Sequence, residues 1–323
     1  MPIDANLTSP PSWQSKLVEL VIRSYMRPHS LKPIDPAWVR DRMNRQDAPK
    51  RLMVRATGVR ASRLAADGAW PGGDLLVWPS AKSDAPVLLY LHGGGYLAGS
   101  PSTHRPLAAS LVRRVSGMAF VPQYRLAPEH PYPAALQDAR NAYHHLIAER
   151  GIPHERIVIA GDSAGGGLAL SLALALRDEG TPLPAAVVAF SPWTDLAVTG
   201  RSLDENSERC AMFAGDTVRR AARFYVGDSN ATDPYISPLY GDYHGLPPLL
   251  LHASRDEVLR DDAVRVAERA RDAGVDAELR LWSRVPHVWQ FFPAVLPEAS
   301  ESLRDAGHFI ERNCRGRAAK VDS

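Results

Sequence analysis

The pentapeptide Gly-Asp-Ser-Ala-Gly at residues 161–165 constrains the fold of this chain more than any other feature. It has the form G-x-S-x-G, follows an apolar run at 157–160, and precedes a long apolar stretch at 166–174 that is typical of a buried helix. A strand, a tight turn and a helix around a serine are typical of a nucleophile elbow, because glycines permit the strained turn that exposes the serine oxygen. The sequence therefore predicts that Ser163 is a nucleophile at the end of a strand.

The chain around this motif alternates between apolar, strand-like runs and helical patterns. The strand-like runs lie at 75–78, 86–91, 118–121, 157–159, 186–190, 249–252 and 277–282, and the helical patterns at 102–115, 133–149, 163–178, 259–273 and 296–313. Such alternation predicts a mostly parallel sheet with helices on both faces. The strands before residue 85 have no helix between them, so we expect them to pair antiparallel. We expect a frayed polar tail at 314–323.

Two segments interrupt this rhythm. Residues 1–50 contain no clear strand and show amphipathic helical patterns, one of them formed by Leu17, Leu20, Val21 and Tyr25. Residues 198–232 are too long for a plain crossover between strands. Ligands of open α/β sheets bind beyond the carboxyl ends of the strands, so an insertion there would cover the site. We predict an N-terminal cap segment at 1–50 and a core at 51–323 that includes a second cap segment at about 198–232.

Composition and charge exclude several classes of protein. The net charge is +2 over 323 residues and no basic block stands out, which argues against nucleic acids and acidic membranes as partners. The two cysteines, Cys210 and Cys314, form neither a disulfide framework nor a zinc-binding spacing, and we expect no metal or cofactor. The first residues lack the features of a signal peptide, and no apolar run is long enough to span a bilayer. We therefore expect a cytoplasmic protein.

A serine nucleophile requires a base, an acid that orients the base, and an oxyanion hole. His287 follows the last predicted strand in a loop next to Pro286, from which it could reach the elbow. Asp256 follows the strand at 249–252 and completes the order Ser, Asp, His that is typical of this arrangement. Asp195, which follows the preceding strand, is the alternative acid. We predict a catalytic triad of Ser163, Asp256 and His287.

The predicted strand at 86–91 ends in His92-Gly93-Gly94-Gly95-Tyr96. Three glycines leave backbone N–H groups unshielded, and such a loop is typical of an oxyanion hole completed by the residue after the nucleophile, here Ala164. The spacing fits neither G-x-G-x-x-G nor a P-loop, so a nucleotide-binding loop is disfavoured. We expect His92 to brace the loop.

Together with the run at 124–134 and residues 256–259, these motifs carry a resemblance to a known family. The chain resembles the hormone-sensitive-lipase-like branch of the α/β-hydrolases, the bacterial family IV esterases. The matching motifs span about residues 75 to 290. The resemblance implies an α/β-hydrolase fold with a mostly parallel eight-stranded sheet and a helical cap. It also implies oxyanion N–H groups from Gly94, Gly95 and Ala164, with Gly93 adjacent. Family members often dimerise through the edge beyond the last strand, so a homodimer is one expectation.

These observations predict a serine carboxylesterase that hydrolyses short- to medium-chain acyl esters through an acyl-enzyme and without a cofactor. The predicted partner is thus a small-molecule ester. Hydrolysis of lactones or carbamates on the same triad stays open. A non-catalytic receptor for small molecules is an alternative of another class, because the plant gibberellin receptors resemble this family but lack the catalytic histidine. The presence of His287 favours an enzyme. Candidate substrate contacts, for which core packing is an equal explanation, are Tyr96, Trp193, Met212, Phe213 and Val288.

Overall fold

A computed structural model of the protein describes residues 11–45 and 47–321, and its centre is an eight-stranded sheet. The strands are β1 (Arg60–Leu64), β2 (Gly73–Val77), β3 (Val87–Leu91), β4 (Met118–Pro122), β5 (Ile157–Asp162), β6 (Ala186–Phe190), β7 (Leu249–Ser254) and β8 (Ala277–Trp282). Their order across the sheet is β1-β2-β4-β3-β5-β6-β7-β8. Strand β2 pairs antiparallel with β1 and β4, and all other pairs are parallel. The predicted sheet and the antiparallel pairing of its first strands are confirmed.

Burial explains which strands were evident from the sequence. Every residue of β3, β5, β6 and β7 is buried, because helices cover both faces of the sheet, and such strands are continuous apolar runs. Strand β1 was missed: it has the sequence Arg-Ala-Ser-Arg-Leu at one edge of the sheet, and four of its five residues are exposed. Strand β8 forms the opposite edge, where dimerisation stays a prediction.

The described part of the chain contains eleven α-helices. They are α1 (Trp13–Tyr25), α2 (Arg27–Ser30), α3 (Pro36–Asn44), α4 (Asp47–Thr57), α5 (Pro101–Val115), α6 (Ala134–His144), α7 (Ala164–Asp178), α8 (Ser202–Glu205), α9 (Gly215–Val226), α10 (Arg260–Asp272) and α11 (Pro297–Val321). Helices α6, α7 and α10 pack on one face of the sheet, and α5 and α11 pack on the other. Helix α11 continues through most of the segment predicted to be a polar tail, so that prediction is wrong up to Val321.

The N-terminal helices contact the segment between β6 and β7. The Thr217 hydroxyl on α9 donates to the carbonyl of Ser30 at 2.8 Å, and the guanidinium of Arg27 donates to the carbonyl of Cys210 at 2.7 Å. We propose that these two segments together form the cap. Among the described helices, none combines the length and the apolar character needed to cross a bilayer.

Candidate active site

Ser163 lies on a sharp turn between β5 and α7. Its φ is 53° and its ψ is −123°, a strained combination for a residue with a side chain. Its N–H donates to the carbonyl of Phe190 at 2.8 Å, and its carbonyl accepts from the N–H of Trp193 at 2.9 Å. A Cβ added to Gly165 would lie 2.1 Å from the carbonyl oxygen of Leu91, so only glycine fits there. The turn has the geometry that the motif predicts, and Ser163 is partly exposed between buried neighbours.

The residue before the nucleophile, Asp162, ties the elbow to the glycine loop. Its buried carboxylate accepts from the Tyr90 hydroxyl at 2.7 Å and from the N–H of Gly93 at 3.2 Å, and it lies 3.3 Å from Nε2 of His104. Burial alone would raise the pKa of Asp162, but the His104 and Tyr90 contacts bring that pKa below its ordinary value. Asp162 therefore has a structural role.

The glycine loop after β3 presents two candidate oxyanion donors. The N–H of Gly93 is occupied by Asp162, whereas Gly94 and Gly95 have φ values of 123° and 64°. A Cβ added to Gly94 would lie 2.1 Å from the carbonyl oxygen of Ala98, so this position requires glycine. Ala164 is the first residue of α7, and its N–H therefore has no partner within the helix. These three N–H groups are the candidate donors, as predicted.

His92 braces this loop. Its ring is buried, stacks on Tyr124 with the centroids 4.1 Å apart, and places Nδ1 2.9 Å from the carbonyl oxygen of Gly93. Burial, followed by repulsion from His104, lowers the pKa of His92 to about 3. The side chain is therefore neutral at any ordinary working pH, and it contacts the glycine loop through packing and one hydrogen bond.

His287 is buried and contacts a carboxylate. Its Nδ1 lies 2.5 Å from Oε2 of Glu257, and Oε1 of Glu257 accepts from the N–H of Ser254 at 2.7 Å. A carboxylate on Nδ1 fixes the proton there and leaves the lone pair on Nε2. That Nε2 is buried and has no hydrogen-bond partner within the described residues. The histidine therefore has the orientation that a general base requires.

The segment after β6 connects the nucleophile to the histidine. Phe190 accepts from the N–H of Ser163, and the next residue, Ser191, accepts through Oγ from the N–H of Val288 at 3.2 Å. Because β5, β6, β7 and β8 are parallel, their carboxyl ends lie side by side. The structure thus places Ser163 and His287 beyond the carboxyl ends of these strands, on either side of this segment.

The structure does not place the predicted acid, Asp256, against His287. Its Oδ2 accepts from the N–H of Arg284 at 2.7 Å, and its own N–H donates to Oγ of Ser254 at 3.2 Å. The turn after β7 directs the partly exposed Asp256 towards the backbone of the histidine loop, whereas the next residue, Glu257, is buried against the ring. The signal was present, since the acid of this fold can be Asp or Glu in the order Ser, acid, His.

The alternative acid, Asp195, also lies elsewhere. Its Oδ2 accepts from the Thr199 hydroxyl at 2.6 Å and from the Arg265 guanidinium at 3.0 Å, and its Oδ1 accepts from the Tyr240 hydroxyl at 3.1 Å. These contacts hold the loop after β6 on α10. Asp195 therefore has a structural role.

A second Ser–His–Asp contact, on His252 of β7, must be distinguished from the candidate triad. The two ring nitrogens of His252 lie 2.8 Å from Oγ of Ser302 and 3.0 Å from Oδ2 of Asp305. Both His252 and Ser302 are fully buried, so no substrate can reach this serine. The contact fastens β7 to α11.

Two of the candidate substrate contacts, Tyr96 and Trp193, are buried. The Tyr96 ring stacks face to face on Tyr225, with the centroids 3.6 Å apart, and lies 6.2 Å from the ring of Trp193. Both side chains belong to the main core cluster. Core packing accounts for these contacts.

The other candidates, Met212, Phe213 and Val288, are closer to the chemistry. The rings of Phe213 and His287 pack in a T-shaped arrangement with the centroids 5.3 Å apart, and Val288 is the residue after that histidine. Met212 and Phe213 are partly buried on the segment between β6 and β7. Phe213 is therefore the candidate that contacts the predicted base directly. In the described part of the chain, no group of three or more His, Cys, Asp or Glu side chains is arranged to hold a metal ion.

Comparison with known proteins agrees with this architecture. The α/β hydrolase fold family model matches residues 88–291, more than half of the chain, and the chain belongs to this family. It is similar to an acetyl-hydrolase of Streptomyces hygroscopicus, with 42% identity over 240 residues that cover 74% of this chain and 80% of that protein.

Two solved structures narrow the class. One is described as a hormone-sensitive lipase from a metagenome library, with 33% identity, a TM-score of 0.84, and coverage of 95% of this chain and 100% of the other. Another is an esterase from the bacterial hormone-sensitive lipase family, with 36% identity, a TM-score of 0.81, and coverage of 94% and 99%. The predicted resemblance to this branch is confirmed, and so is the prediction of an enzyme of the esterase class.

Proposed function

We propose that the protein is a serine carboxylesterase with a catalytic triad of Ser163, His287 and Glu257. The observation that carries the proposal is the buried Glu257 carboxylate 2.5 Å from Nδ1 of His287. This contact leaves Nε2 as the proton acceptor, beyond the same strand ends as the elbow serine. A carboxylate, an imidazole and a serine on an elbow form the machinery of acyl transfer.

The mechanism follows from these positions. Nε2 of His287 takes the proton of Ser163 Oγ while this oxygen attacks the ester carbonyl, and Glu257 stabilises the imidazolium that forms. His287 then returns the proton to the leaving alcohol as the ester bond breaks. Water then gives a proton to the same nitrogen and attacks the acyl-serine. The bond to Ser163 Oγ breaks, this oxygen takes the proton back from His287, and the carboxylic acid is released.

Backbone N–H groups stabilise the negative oxygen in both steps. We assign this role to Gly94, Gly95 and Ala164, because the N–H of Gly93 is already bound to Asp162. Loss of one such donor typically costs about 2.7–4 kcal/mol of barrier. The loop is held in place by Asp162 and His92, so these donors are oriented before the substrate arrives.

We propose short- to medium-chain acyl esters as the substrates. The Phe213 ring lies against His287, and bulky side chains there favour small acyl groups over long ones. The similarity to an acetyl-hydrolase supports a short acyl group. Lactones and carbamates are the alternative substrates for the same triad.

A series of p-nitrophenyl esters from acetate to palmitate tests the nucleophile and the acyl preference together, with a lactone and a carbamate assayed in parallel. We expect turnover of the butyrate ester that falls by at least about 10³-fold in Ser163→Ala, and labelling of Ser163 by a fluorophosphonate probe. Ser229→Ala, at an exposed serine, is the matched control and should keep both properties. If the wild-type chain neither turns over any ester nor reacts with the probe, the proposal fails and the receptor alternative gains support.

A further inference from the structure

The outward face of α1 is apolar and exposed. Half or more of each of its five large side chains is exposed, and they are Trp13, Leu17, Leu20, Val21 and Tyr25. Successive residues of a helix are 100° apart, so positions spaced by three and four residues lie on one side. These five side chains, here called the α1 apolar face, therefore form one continuous strip.

The opposite side of α1 contacts the rest of the protein. Ser15 and Ile22 are buried, and the Ser15 hydroxyl donates to the carbonyl of Arg284, three residues before His287. The N–H of Ser12 donates to the Glu298 carboxylate at 2.7 Å. The strip is thus held facing outward by specific contacts, next to the loop that carries the candidate base.

Aromatic and cationic side chains extend the strip. The guanidinium of Arg42 lies over the rings of Tyr25 and Trp38, 4.5 and 5.3 Å from their centroids, and Trp38 stacks on His29. Exposed Trp and Tyr rings next to basic groups are typical of surfaces that lie at the boundary between water and lipid.

The segment that carries the strip is positively charged. Residues 11–45 carry a formal net charge of +4, from Lys16, Arg23, Arg27, Lys32, Arg40, Arg42 and Arg45 against Glu19, Asp35 and Asp41, although the whole chain has only +2. Glu208 and Glu129, from outside the segment, pair with Arg27 and Arg40, and the net charge that remains is +2. On α1 itself, Lys16 and Arg23 lie along one flank of the α1 apolar face, since they are seven residues apart on the helix. The near-neutral total charge, which argued against acidic membranes, conceals this asymmetry.

We propose that the α1 apolar face docks on an anionic phospholipid surface. Interfacial helices bury an apolar face about 5–10 Å into the boundary of headgroups and acyl chains while basic side chains contact the anionic headgroups. Docking in this way would hold the loop of His287 near the lipid surface. The docking itself does not depend on the proposed catalytic function.

A second copy of the chain fits the strip less well. A helix of thirteen residues is about 20 Å long and about 10 Å wide, so its face offers about 200 Å², whereas a stable dimer buries about 800 Å² per partner. Two identical faces would also bring two positively charged segments together. An anionic surface has the opposite charge and needs no shape complementarity.

The test is co-sedimentation of the full-length protein with lipid vesicles. We expect binding to vesicles of phosphatidylcholine and phosphatidylglycerol in equal parts, at least about tenfold weaker binding to phosphatidylcholine alone, and weaker binding as salt is raised. The triple variant Leu17→Gln, Leu20→Gln, Val21→Gln should bind at least about tenfold more weakly. Leu52→Gln is the matched control, because Leu52 is 69% exposed on α4, which packs on α5, and it should bind as the wild type does.

Three results would overturn the proposal. One is vesicle binding that the triple variant leaves unchanged. Another is a lower melting temperature for the triple variant than for the Leu52→Gln control, which would show that another segment of the chain covers the strip. The third is a wild-type dimer in light scattering that the triple variant converts to a monomer, which would assign the strip to a second copy. Hydrolysis of p-nitrophenyl butyrate in solution should be the same in all these variants, so the loss of binding is separable from catalysis.

Discussion

Replacing the carboxylates of two adjacent residues by amides, one at a time, separates the proposed triad from the one expected from the sequence. In Glu257→Gln an amide of the same size replaces the carboxylate that lies 2.5 Å from Nδ1 of His287. The variant loses the negative charge that stabilises the imidazolium. If the amide nitrogen faces the ring, the proton moves to Nε2, which can then no longer accept the proton of Ser163.

The expected loss is large because both partners are buried, with 1% of Glu257 and 4% of His287 exposed. The corresponding change of acid to amide in a Ser-His-Asp protease lowers kcat about 10⁴-fold, which is about 5.4 kcal/mol at 1.36 kcal/mol per tenfold change. Asp256→Asn is the matched change one residue earlier. It weakens one partly exposed hydrogen bond to the N–H of Arg284, worth about 1 kcal/mol, so activity should change by less than about fivefold.

The assay is kcat and KM for p-nitrophenyl butyrate, with thermal unfolding of each variant as the control for folding. We expect kcat to fall by about 10³–10⁴-fold in Glu257→Gln, and Glu257→Asp to be intermediate because its carboxylate is one methylene shorter. The reasoning is refuted if Asp256→Asn causes the large loss while Glu257→Gln stays within about fivefold of the wild type.

Two further predictions concern the glycine loop. Gly94→Ala should lower kcat by at least about 10²-fold, because the new Cβ would lie 2.1 Å from the Ala98 carbonyl oxygen. Gly95→Ala meets nothing within 4 Å and should lose less than about tenfold, and equal losses would contradict the assigned geometry. For stability, burial lowers the pKa of His92 from 6.5 to about 3, so on acidification below about 6.5 only the unfolded chain binds this proton. His92 should therefore contribute a fall in the free energy of unfolding of about 1.4 kcal/mol per pH unit between about pH 6 and pH 4. Urea titrations should show a smaller slope against pH in His92→Gln, and an unchanged slope would contradict the assignment.

The features that were predictable from the sequence are those set by nearby residues. The elbow at Ser163 requires small neighbours and a strand before it, and both are visible in the sequence. The central strands are continuous apolar runs because both of their faces are buried. The missed strand β1 has neither signal, since its residues are exposed and it is held by pairing with β2.

The identity of the acid depended on contacts between distant residues. Asp256 and Glu257 are adjacent, and both follow β7, so spacing does not distinguish them. Their orientation is decided by the N–H of Arg284, which binds Asp256, and by the N–H of Ser254, which binds Glu257 beneath the ring of His287. Only the folded backbone places these groups. The order of residue types along the chain therefore indicated an acid after β7 but could not show which of the two carboxylates contacts His287.

The direction in which α1 faces is a second feature that the sequence alone does not decide. Its spacing of Leu17, Leu20 and Val21 is that of a helix with one apolar side, and such a side usually packs on a core. The structure instead buries Ser15 and Ile22 and leaves the apolar side exposed, with Ser15 bound to the loop that precedes His287 and Ser12 bound to Glu298. Periodicity establishes that an apolar face exists, while the polar anchor determines its direction. The proposed docking gives this apolar side a partner, and the positive charge beside it, from Lys16 and Arg23, favours an anionic one.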